Sequence, residues 1–343
     1  MRFKTAVRNI QPFSKLTASL SSLGKVAWVR LDDSNVRFTV IPETGTQVWA
    51  SLSIDSIFED YTIQSAADDN TINLELPLPP LHRALKSATN ASSASIRLTK
   101  RDGVPVLSLT IITNTISSGS SGRGFLSGSN PNPFDDDTFR EEALDAGRER
   151  EAVVTQEIPV RVLTAVSVEG IHEPRVREPD AHIILPSLLQ LKAISDRFTK
   201  LSMATSTGTI RSGGANSNAP KLELSANMHG SLKLSISTDA LNISSVWTGL
   251  TNPELDPTQV NPDGEGLDAH PSTILRERGP DAWSTVRIDG RDWGKVLSVG
   301  RLGGRVIACF ADEHALILYV YLPNYDDGTE DSVLTYYISS FSV

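Results

Sequence analysis

Short stretches in which apolar and polar residues alternate dominate the chain, and this period of two predicts β-strands. The alternation is clearest in residues 221–226 and 231–236, where every second side chain is apolar. The residues between these two runs, Asn227 to Gly230, are typical of a hairpin turn with a glycine at a positive φ. The pattern therefore indicates a strand-rich protein, with further strands predicted at residues 26–31, 35–41, 47–54, 71–76, 95–100 and 104–112.

Four other segments place apolar residues three and four positions apart, which is the spacing of one face of an α-helix. The first of them begins after Pro12 and ends at Gly24, and proline and glycine are typical of helix starts and ends in this order. The predicted helices lie within residues 13–23, 81–88, 188–201 and 293–297.

The same order of elements occurs twice along the chain: strand, helix, several strands, helix, several strands. At 343 residues, the chain also exceeds the roughly 250 to 300 residues that one hydrophobic core usually supports. We therefore predict an α+β fold of two domains with duplicated topology, each with about nine strands and two helices. Domain I is expected at residues 1–163, a connector at 164–179 and domain II at 180–343.

Three segments look like insertions into this compact core. Residues 117–152 are rich in Ser and Gly and then in acidic residues, and we expect most of this stretch to be disordered. Two further acidic loops are predicted at residues 251–281 and 324–331.

The composition is that of an ordinary globular protein. Hydrophobic residues make up 39% and charged residues 21% of the chain, which excludes a disordered protein, a collagen-like repeat and a coiled coil. Cys309 is the single cysteine, so an intramolecular disulfide is impossible and a reducing compartment is expected. The sequence has no run of about 18 apolar residues, so we predict no membrane span.

Residues that could carry catalysis or hold a cofactor are scattered. Residues 290–296 resemble a phosphate-binding Walker loop, but the motif is one residue short and lacks the hydroxyl residue that would hold magnesium. The six histidines lack metal-ligand spacing, and the acidic clusters lack calcium-loop spacing. Cys309 lies in a predicted strand, where a buried and unreactive thiol is expected. The sequence thus predicts no catalytic residue, no metal and no cofactor, and so a protein that is not an enzyme.

Positive charge is concentrated on the predicted helices, although the formal net charge of the chain is −9. Residues 13–23, 80–90, 186–201 and 290–301 contain nine Lys or Arg and two Asp or Glu, a net of +7, which leaves −16 for the rest of the chain. On a helical wheel, the basic residues lie opposite the apolar stripe of each helix. The main ones are Lys15, Arg83, Lys86, Lys192, Arg197, Lys200, Arg291 and Lys295. Because these faces lack base-reading aromatic and amide clusters, we predict one surface that contacts the phosphates of a polyanion independently of its sequence.

A series of five segments spans nearly the whole chain and carries a family resemblance. These are residues 1–4 (Met-Arg-Phe-Lys), 81–88 (Leu-His-Arg-Ala-Leu-Lys-Ser-Ala), 156–162 (Gln-Glu-Ile-Pro-Val-Arg-Val), 178–186 (Glu-Pro-Asp-Ala-His-Ile-Ile-Leu-Pro) and 334–339 (Leu-Thr-Tyr-Tyr-Ile-Ser). Taken together and in this order, they resemble the Hus-type subunits of the nine-one-one (9-1-1) DNA-damage checkpoint clamp. No single segment is decisive, whereas the ordered series is.

The resemblance implies a sliding-clamp fold similar to PCNA, in which three subunits close a ring with helices on the inner wall and sheets outside. It implies that the eight basic residues named above face double-stranded DNA in the pore. It also implies a heterotrimer with two other checkpoint clamp subunits, acting in the nucleus and loaded onto DNA by a checkpoint clamp loader. In this family the ring is a non-enzymatic platform for checkpoint signalling and repair enzymes.

Unpaired edge strands are expected to join the subunits of such a ring. By position, we predict these edge strands at residues 157–163 in the first half and 231–237 in the second half. The positions assigned to them are Glu157, Pro159, Arg161 and Leu163, and Ser231, Lys233, Ser235 and Ser237.

Two other functions remain open at this point. A homotrimeric replicative sliding clamp, which is a polymerase processivity factor, would have the same fold but would assemble with itself. A strand-rich enzyme would need a cluster of acid, base or nucleophile that the sequence does not reveal.

Overall fold

The computed structural model describes residues 1–43, 45–67, 69–116, 149–206, 221–238, 241–254, 269–323 and 332–341. Of the three predicted insertions, residues 117–148, residues 255–268 and the whole of 324–331 lie outside the described residues. The remaining residues of the first insertion, 149–152, begin a strand.

The first half of the described chain forms ten strands and four helices. The strands are Arg2–Val7 (β1), Val26–Leu31 (β2), Asn35–Val40 (β3), Gln47–Ser53 (β4), Phe58–Gln64 (β5), Ile72–Pro77 (β6), Ser93–Arg101 (β7), Val104–Ile116 (β8), Glu149–Pro159 (β9) and Arg161–Leu163 (β10). The helices are Ile10–Leu23 (α1), Ile54–Ile57 (α2), Leu78–Ser87 (α3) and Ala165–Val168 (α4).

The second half of the described chain follows a similar order with fewer elements. Its strands are Ala181–Ile184 (β11), Lys221–Ala226 (β12), Leu232–Thr238 (β13), Leu241–Trp247 (β14), Ser284–Asp289 (β15), Arg305–Ala311 (β16), Ala315–Tyr321 (β17) and Val333–Ser339 (β18). Its helices are Leu188–Ser206 (α5), Pro271–Glu277 (α6) and Gly290–Val296 (α7), which continues as a 3-10 helix, Leu297–Leu302. The four predicted helices are therefore confirmed as α1, α3, α5 and α7.

Local sequence explains where the helices begin. The Asp289 side chain caps α7, because its Oδ1 accepts hydrogen bonds from the backbone N–H groups of Arg291 at 2.8 Å and Asp292 at 3.2 Å. Pro79 and Pro80 lie in the first turn of α3. Proline lacks a backbone N–H, but the N–H groups of the first turn have no acceptor within the helix, so no helical hydrogen bond is lost. The segment that resembled a Walker loop is thus a capped helix start.

The strands form three antiparallel sheets, one of which spans both halves of the chain. The strand orders are β5-β1-β7-β8-β9, β10-β6-β2-β3-β4-β18-β17-β16-β11 and β14-β13-β12-β15. In the nine-stranded sheet, β4 pairs with β18 and places Ala50 opposite Leu334. The two halves therefore share one continuous hydrogen-bonded sheet.

The buried faces of the sheets and helices form one hydrophobic core, which includes the fully buried Phe38 of β3 and Tyr336 of β18. Helix α5 lies so close to the 3-10 helix that a Cβ at Gly300 would be 2.8 Å from the Cβ of Leu188. Glycine is required there because any side chain would push the two helices apart. The buried Trp293 of α7 also joins α5, since its Nε1 donates to the Ser195 hydroxyl at 3.2 Å.

The sheet order corrects one of the two predicted edge strands. Residues 231–237 fall mainly on β13, which pairs with β12 on one side and β14 on the other, so β13 is not an edge. Ser231 precedes this strand, and Lys233, Ser235 and Ser237 lie within it. Within the described chain, the edges of the four-stranded sheet are β14 and β15.

The first predicted edge strand is divided between two sheets. Glu157 and Pro159 lie on β9, at the edge of the five-stranded sheet. Arg161 and Leu163 lie on β10, which pairs only with β6 in the described chain and is an edge of the nine-stranded sheet. The break falls at Val160, whose N–H donates to the Pro105 carbonyl at 3.0 Å.

Candidate nucleic-acid interface

Helices α1 and α3 pack side by side and expose basic side chains. In α3, Leu81 and Leu85 are fully buried, whereas Arg83 and Lys86 are exposed. In α1, Lys15 is exposed on the side away from the buried apolar stripe. An imidazole contact ties the helices together, with His82 Nδ1 of α3 lying 3.2 Å from a backbone carbonyl oxygen of α1.

Helices α5 and α7 form a second pair in which one lysine is largely occupied. The Nζ of Lys192 donates to the Gly294 carbonyl of α7 at 2.8 Å and lies 3.3 Å from Asp196, with 28% of its side chain exposed. Lys295 pairs with Asp292 at 2.9 Å but remains 47% exposed. Of these two lysines, Lys192 holds the helices together, and Lys295 stays accessible to solvent.

The remaining predicted residues, Arg197, Lys200 and Arg291, are exposed. These three side chains, together with those of α1 and α3, form no ion pair with any residue that the structure describes. A guanidinium or ammonium group without a carboxylate partner is fully available to an anionic ligand.

The four helices form one continuous layer. Helix α1 contacts α3 on one side and both α7 and the 3-10 helix on the other, and α7 in turn contacts α5. The apolar faces of these helices enter the core, so their exposed basic residues lie on the opposite side of the layer. The structure therefore brings the eight predicted residues onto a single helix layer, seven of them exposed and Lys192 half-buried.

The helix layer contains two acidic residues, and both are paired with lysines of the same layer. These are Asp196, beside Lys192, and Asp292, beside Lys295. The other basic groups of the helices therefore have no carboxylate partner in the part of the chain that the structure describes. A surface with this charge distribution attracts phosphate groups, and the attraction weakens as salt concentration rises.

One basic residue of the layer was absent from the predicted set. Arg301 is exposed at the end of the 3-10 helix and forms no ion pair within the described residues. The charge count over residues 290–301 includes it, but the apolar spacing predicted a helix only as far as residue 297, so Arg301 was not assigned to a helix face.

Neither a metal site nor a reactive thiol is found in the described part of the chain. It contains no group of three or more His, Cys, Asp or Glu that could hold a metal ion. Burial raises the pKa of the Cys309 thiol to about 12, so the reactive thiolate does not form near neutral pH. Burial also lowers the pKa of His182, whose Nε2 lies 2.8 Å from the Pro253 carbonyl oxygen.

Comparison with known families decides the identity of the chain. The family model described as Hus1-like protein matches residues 1–342. The chain belongs to this family. Checkpoint protein hus1 of Schizosaccharomyces pombe is 39% identical over 342 residues, covering 99% of both chains. The human checkpoint protein HUS1 is 23% identical over 270 residues, covering 77% of this chain and 79% of the human one.

Solved structures place the Hus1-like chain in the sliding-clamp fold. PCNA from Thermococcus kodakaraensis has a TM-score of 0.59 at 14% identity, covering 99% of this chain and 100% of that one. PCNA from Entamoeba histolytica has a TM-score of 0.56 at 12% identity, covering 99% of both chains. The predicted PCNA-like fold is thus confirmed.

Family and fold together confirm the central functional prediction. The Hus1-like chain is a subunit of a ring-shaped clamp of the DNA-damage checkpoint, and it works within a multi-subunit assembly.

In the described residues, no helix is both long and apolar enough to cross a membrane.

Proposed function

We propose that this chain is one third of a heterotrimeric ring, completed by two other checkpoint clamp subunits, and that the ring encircles double-stranded DNA. The observation that carries the proposal is the helix layer, where both acidic residues are paired and most basic groups have no ion-pair partner among the described residues. The chain as a whole has a formal net charge of −9, whereas the helix layer is positive. This separation of charge indicates that the layer binds a polyanionic ligand.

DNA would contact the helix layer through its phosphates. The candidate contacts are Lys15, Arg83, Lys86, Arg197, Lys200, Arg291, Lys295 and Arg301, with Lys192 in a supporting role. Phosphate contacts position a duplex without reading its sequence, as a clamp that acts at any damaged site requires. The negative charge outside the helices would repel DNA from the exterior and favour the threaded arrangement.

Ring closure would use β9 and β14, which are edges of the five-stranded and four-stranded sheets within the described chain. Strand β9, at the edge of the five-stranded sheet, exposes Val153 and Val154, which are 60% and 47% accessible in the isolated chain. Strand β14, at the edge of the four-stranded sheet, exposes Val246, which is 52% accessible. An edge with free backbone groups and exposed valines is suited to pairing with a neighbouring strand. We assign one partner subunit to each edge, with Glu157 and Pro159 at the β9 boundary.

The assembled ring would be a platform without catalytic activity of its own. A checkpoint clamp loader would open and close it around DNA in the nucleus, and repair enzymes would dock on its outer surface.

The mass of the chain in solution distinguishes the heterotrimer from a homotrimeric replicative clamp. We expect the purified chain alone to remain a monomer of about 37 kDa in size-exclusion chromatography with light scattering. Co-expression with the two partner subunits should instead yield a single complex containing one copy of each. A stable trimer of the chain alone would overturn the heterotrimer and favour the replicative clamp.

A further inference from the structure

Three basic side chains cluster on the solvent-facing side of the five-stranded sheet. Lys4 of β1 lies directly opposite Arg97 of β7, which places their Cβ atoms about 5 Å apart. Arg2 lies on the same face of β1, about 7 Å from Lys4. The intervening Phe3 and the neighbouring Ile96 point the other way, into the core that the apolar faces of α1 and α3 also enter. The three cations, which we call the sheet patch, therefore face away from the helix layer.

The sheet patch has no counterion in the described chain. All three side chains are exposed, and none of them forms an ion pair or hydrogen bond with a described residue. Among the nearby acids, Glu157 pairs with Arg101, and Glu59 lies 3.9 Å from Arg8. Asp60, in the bulge of β5 beside β1, is exposed and forms no ion pair with the patch. Like charges directly opposite each other destabilise a sheet, so the patch is a local cost to folding that bound anions would offset.

Hydroxyl groups extend the patch along the same row of the sheet. Thr62 of β5 lies opposite Lys4, and Ser108 of β8 lies opposite Arg97. Four adjacent strands thus present hydrogen-bond donors side by side on one face. A short run of carboxylates, which accept hydrogen bonds and carry the opposite charge, suits such a row.

The chain itself contains a matching run of carboxylates. Residues 117–148 join β8 to β9 of the same five-stranded sheet. They include Asp135, Asp136 and Asp137 in succession, which equal the three cations of the patch in number and oppose them in charge. Residues 135–145 hold six acids and one arginine, a net of −5.

The length of chain is sufficient for these aspartates to reach the patch. The row that contains Lys4 lies eight residues along β9 from Glu149, or about 27 Å, and three strands across, or about 14 Å. The straight distance from Glu149 to Lys4 is therefore about 30 Å. Asp137 precedes Glu149 by twelve residues, which span about 40 Å when extended. By contrast, the eight residues between Glu141 and Glu149 span only about 27 Å.

We propose that Asp135, Asp136 and Asp137 bind the sheet patch and shield it from DNA. Their carboxylates accept hydrogen bonds from the guanidinium and ammonium groups of the patch. With the patch covered, the basic surface open to DNA is the helix layer. This consequence rests on the proposed function, whereas the contact itself does not.

The helix layer is the competing target for these aspartates. It lies at a similar distance from the insertion, because Gln156 of β9 donates to the Ser87 hydroxyl at the end of α3. The patch is favoured because its three cations lie within about 7 Å of a neighbour, whereas those of the layer are spread over four helices.

Carbodiimide cross-linking of the isolated full-length chain tests the contact. The reagent couples a carboxylate to a lysine amine in direct contact with it. After trypsin digestion, Lys4 lies in the peptide of residues 3–8 and the three aspartates lie in that of residues 124–140. At low salt, we expect the link between these peptides to be at least about fivefold more abundant than links from 124–140 to Lys15 or Lys86, and to decrease at about 0.5 M salt.

Binding of a short labelled duplex to the isolated chain tests the shield. Asp135→Asn/Asp136→Asn/Asp137→Asn should raise the affinity about tenfold at about 0.1 M salt, because three cations become available to phosphates. The same change should have no effect in a chain that already carries Arg2→Gln/Lys4→Gln/Arg97→Gln. The matched control, Glu141→Gln/Glu142→Gln/Asp145→Asn, removes three charges from acids too close to β9 to reach the patch, and should raise the affinity less than about twofold.

Four results would overturn the proposal. They are the absence of the Lys4 cross-link, equal cross-linking of Lys15 or Lys86, an unchanged duplex affinity after the three Asp→Asn changes, and a gain in affinity that persists when the patch is neutralised. The last result would assign the aspartates to the helix layer instead. Because the isolated chain is used throughout, a failure here is separate from a failure of the assembled ring to encircle DNA.

Discussion

Replacing Arg83, Lys86, Arg197 and Lys200 with alanine should weaken DNA binding by the assembled clamp on the order of 100-fold at about 0.1 M salt. These four residues are exposed, lie on α3 and α5 and have no ion-pair partner in the described chain, so their charge is available to phosphates. Each lost phosphate contact should also reduce the slope of log affinity against log salt concentration by about one, or roughly four in total. Fluorescence anisotropy with a labelled duplex, measured over a range of salt concentrations, gives both quantities.

A charge-matched variant separates this effect from a general change in net charge. Four exposed basic residues on strands outside the helix layer serve as the control: Arg2, Lys4, Arg97 and Arg305. Their replacement by alanine should change affinity only slightly, and it should leave the salt slope near its wild-type value. If both variants lost the same slope, the helix layer would not be the DNA-facing surface.

Gly304→Ala should destabilise the chain by about 3 kcal/mol or more, the largest single-residue effect that we expect on folding. Gly304 has a φ of +100°, in the left-handed region that side chains disfavour. A Cβ at this position would also collide with the backbone carbonyl of Tyr321 on the neighbouring strand. Because backbone cannot rotate away as a side chain can, the turn between the 3-10 helix and β16 would have to move. Urea unfolding of the purified chain measures the loss.

The adjacent glycine is the natural control for this prediction. Gly303 also has a positive φ, +75°, but a Cβ there would meet no atom within 4 Å. Its ψ of −172° puts Gly303 in a region that is populated almost only by glycine, so Gly303→Ala should have the conformational cost alone, about 1 to 3 kcal/mol, and less than Gly304→Ala. Similar losses for the two variants would show that the close approach to Tyr321 is unimportant.

The helices and their charged faces were predictable from sequence because both depend on local spacing. Leu81 and Leu85 lie four positions apart, and Arg83 and Lys86 fall on the opposite side of the same helix whatever the tertiary structure. Lys192 shows the limit of this reasoning. Its position on the polar face of α5 was correct, but its hydrogen bond to the Gly294 carbonyl depends on how α7 packs, which no spacing within α5 reveals.

Strand pairing was harder to predict from the sequence, because it is set by contacts between residues that are distant along the chain. The alternation of 231–236 correctly predicts a strand. It does not reveal that β12 and β13 are both paired on two sides, because alternation depends on which face is buried and not on the neighbouring strands. The edge strand β14 has the sequence Leu-Asn-Ile-Ser-Ser-Val-Trp and was not predicted as a strand. The cross-strand pair of Lys4 and Arg97 is similarly visible only once the β1–β7 register is known.

Retention on DNA of defined topology tests the central claim most directly. The heterotrimer would be loaded with its clamp loader and ATP onto a nicked circular plasmid, and the bound fraction would be measured before and after cutting the circle once with a restriction enzyme. Our account predicts that the clamp stays on the circle through a wash at moderate salt and is released when the DNA is linearised, because a ring can slide off a free end. Retention that is the same on circular and linear DNA would contradict an encircling clamp.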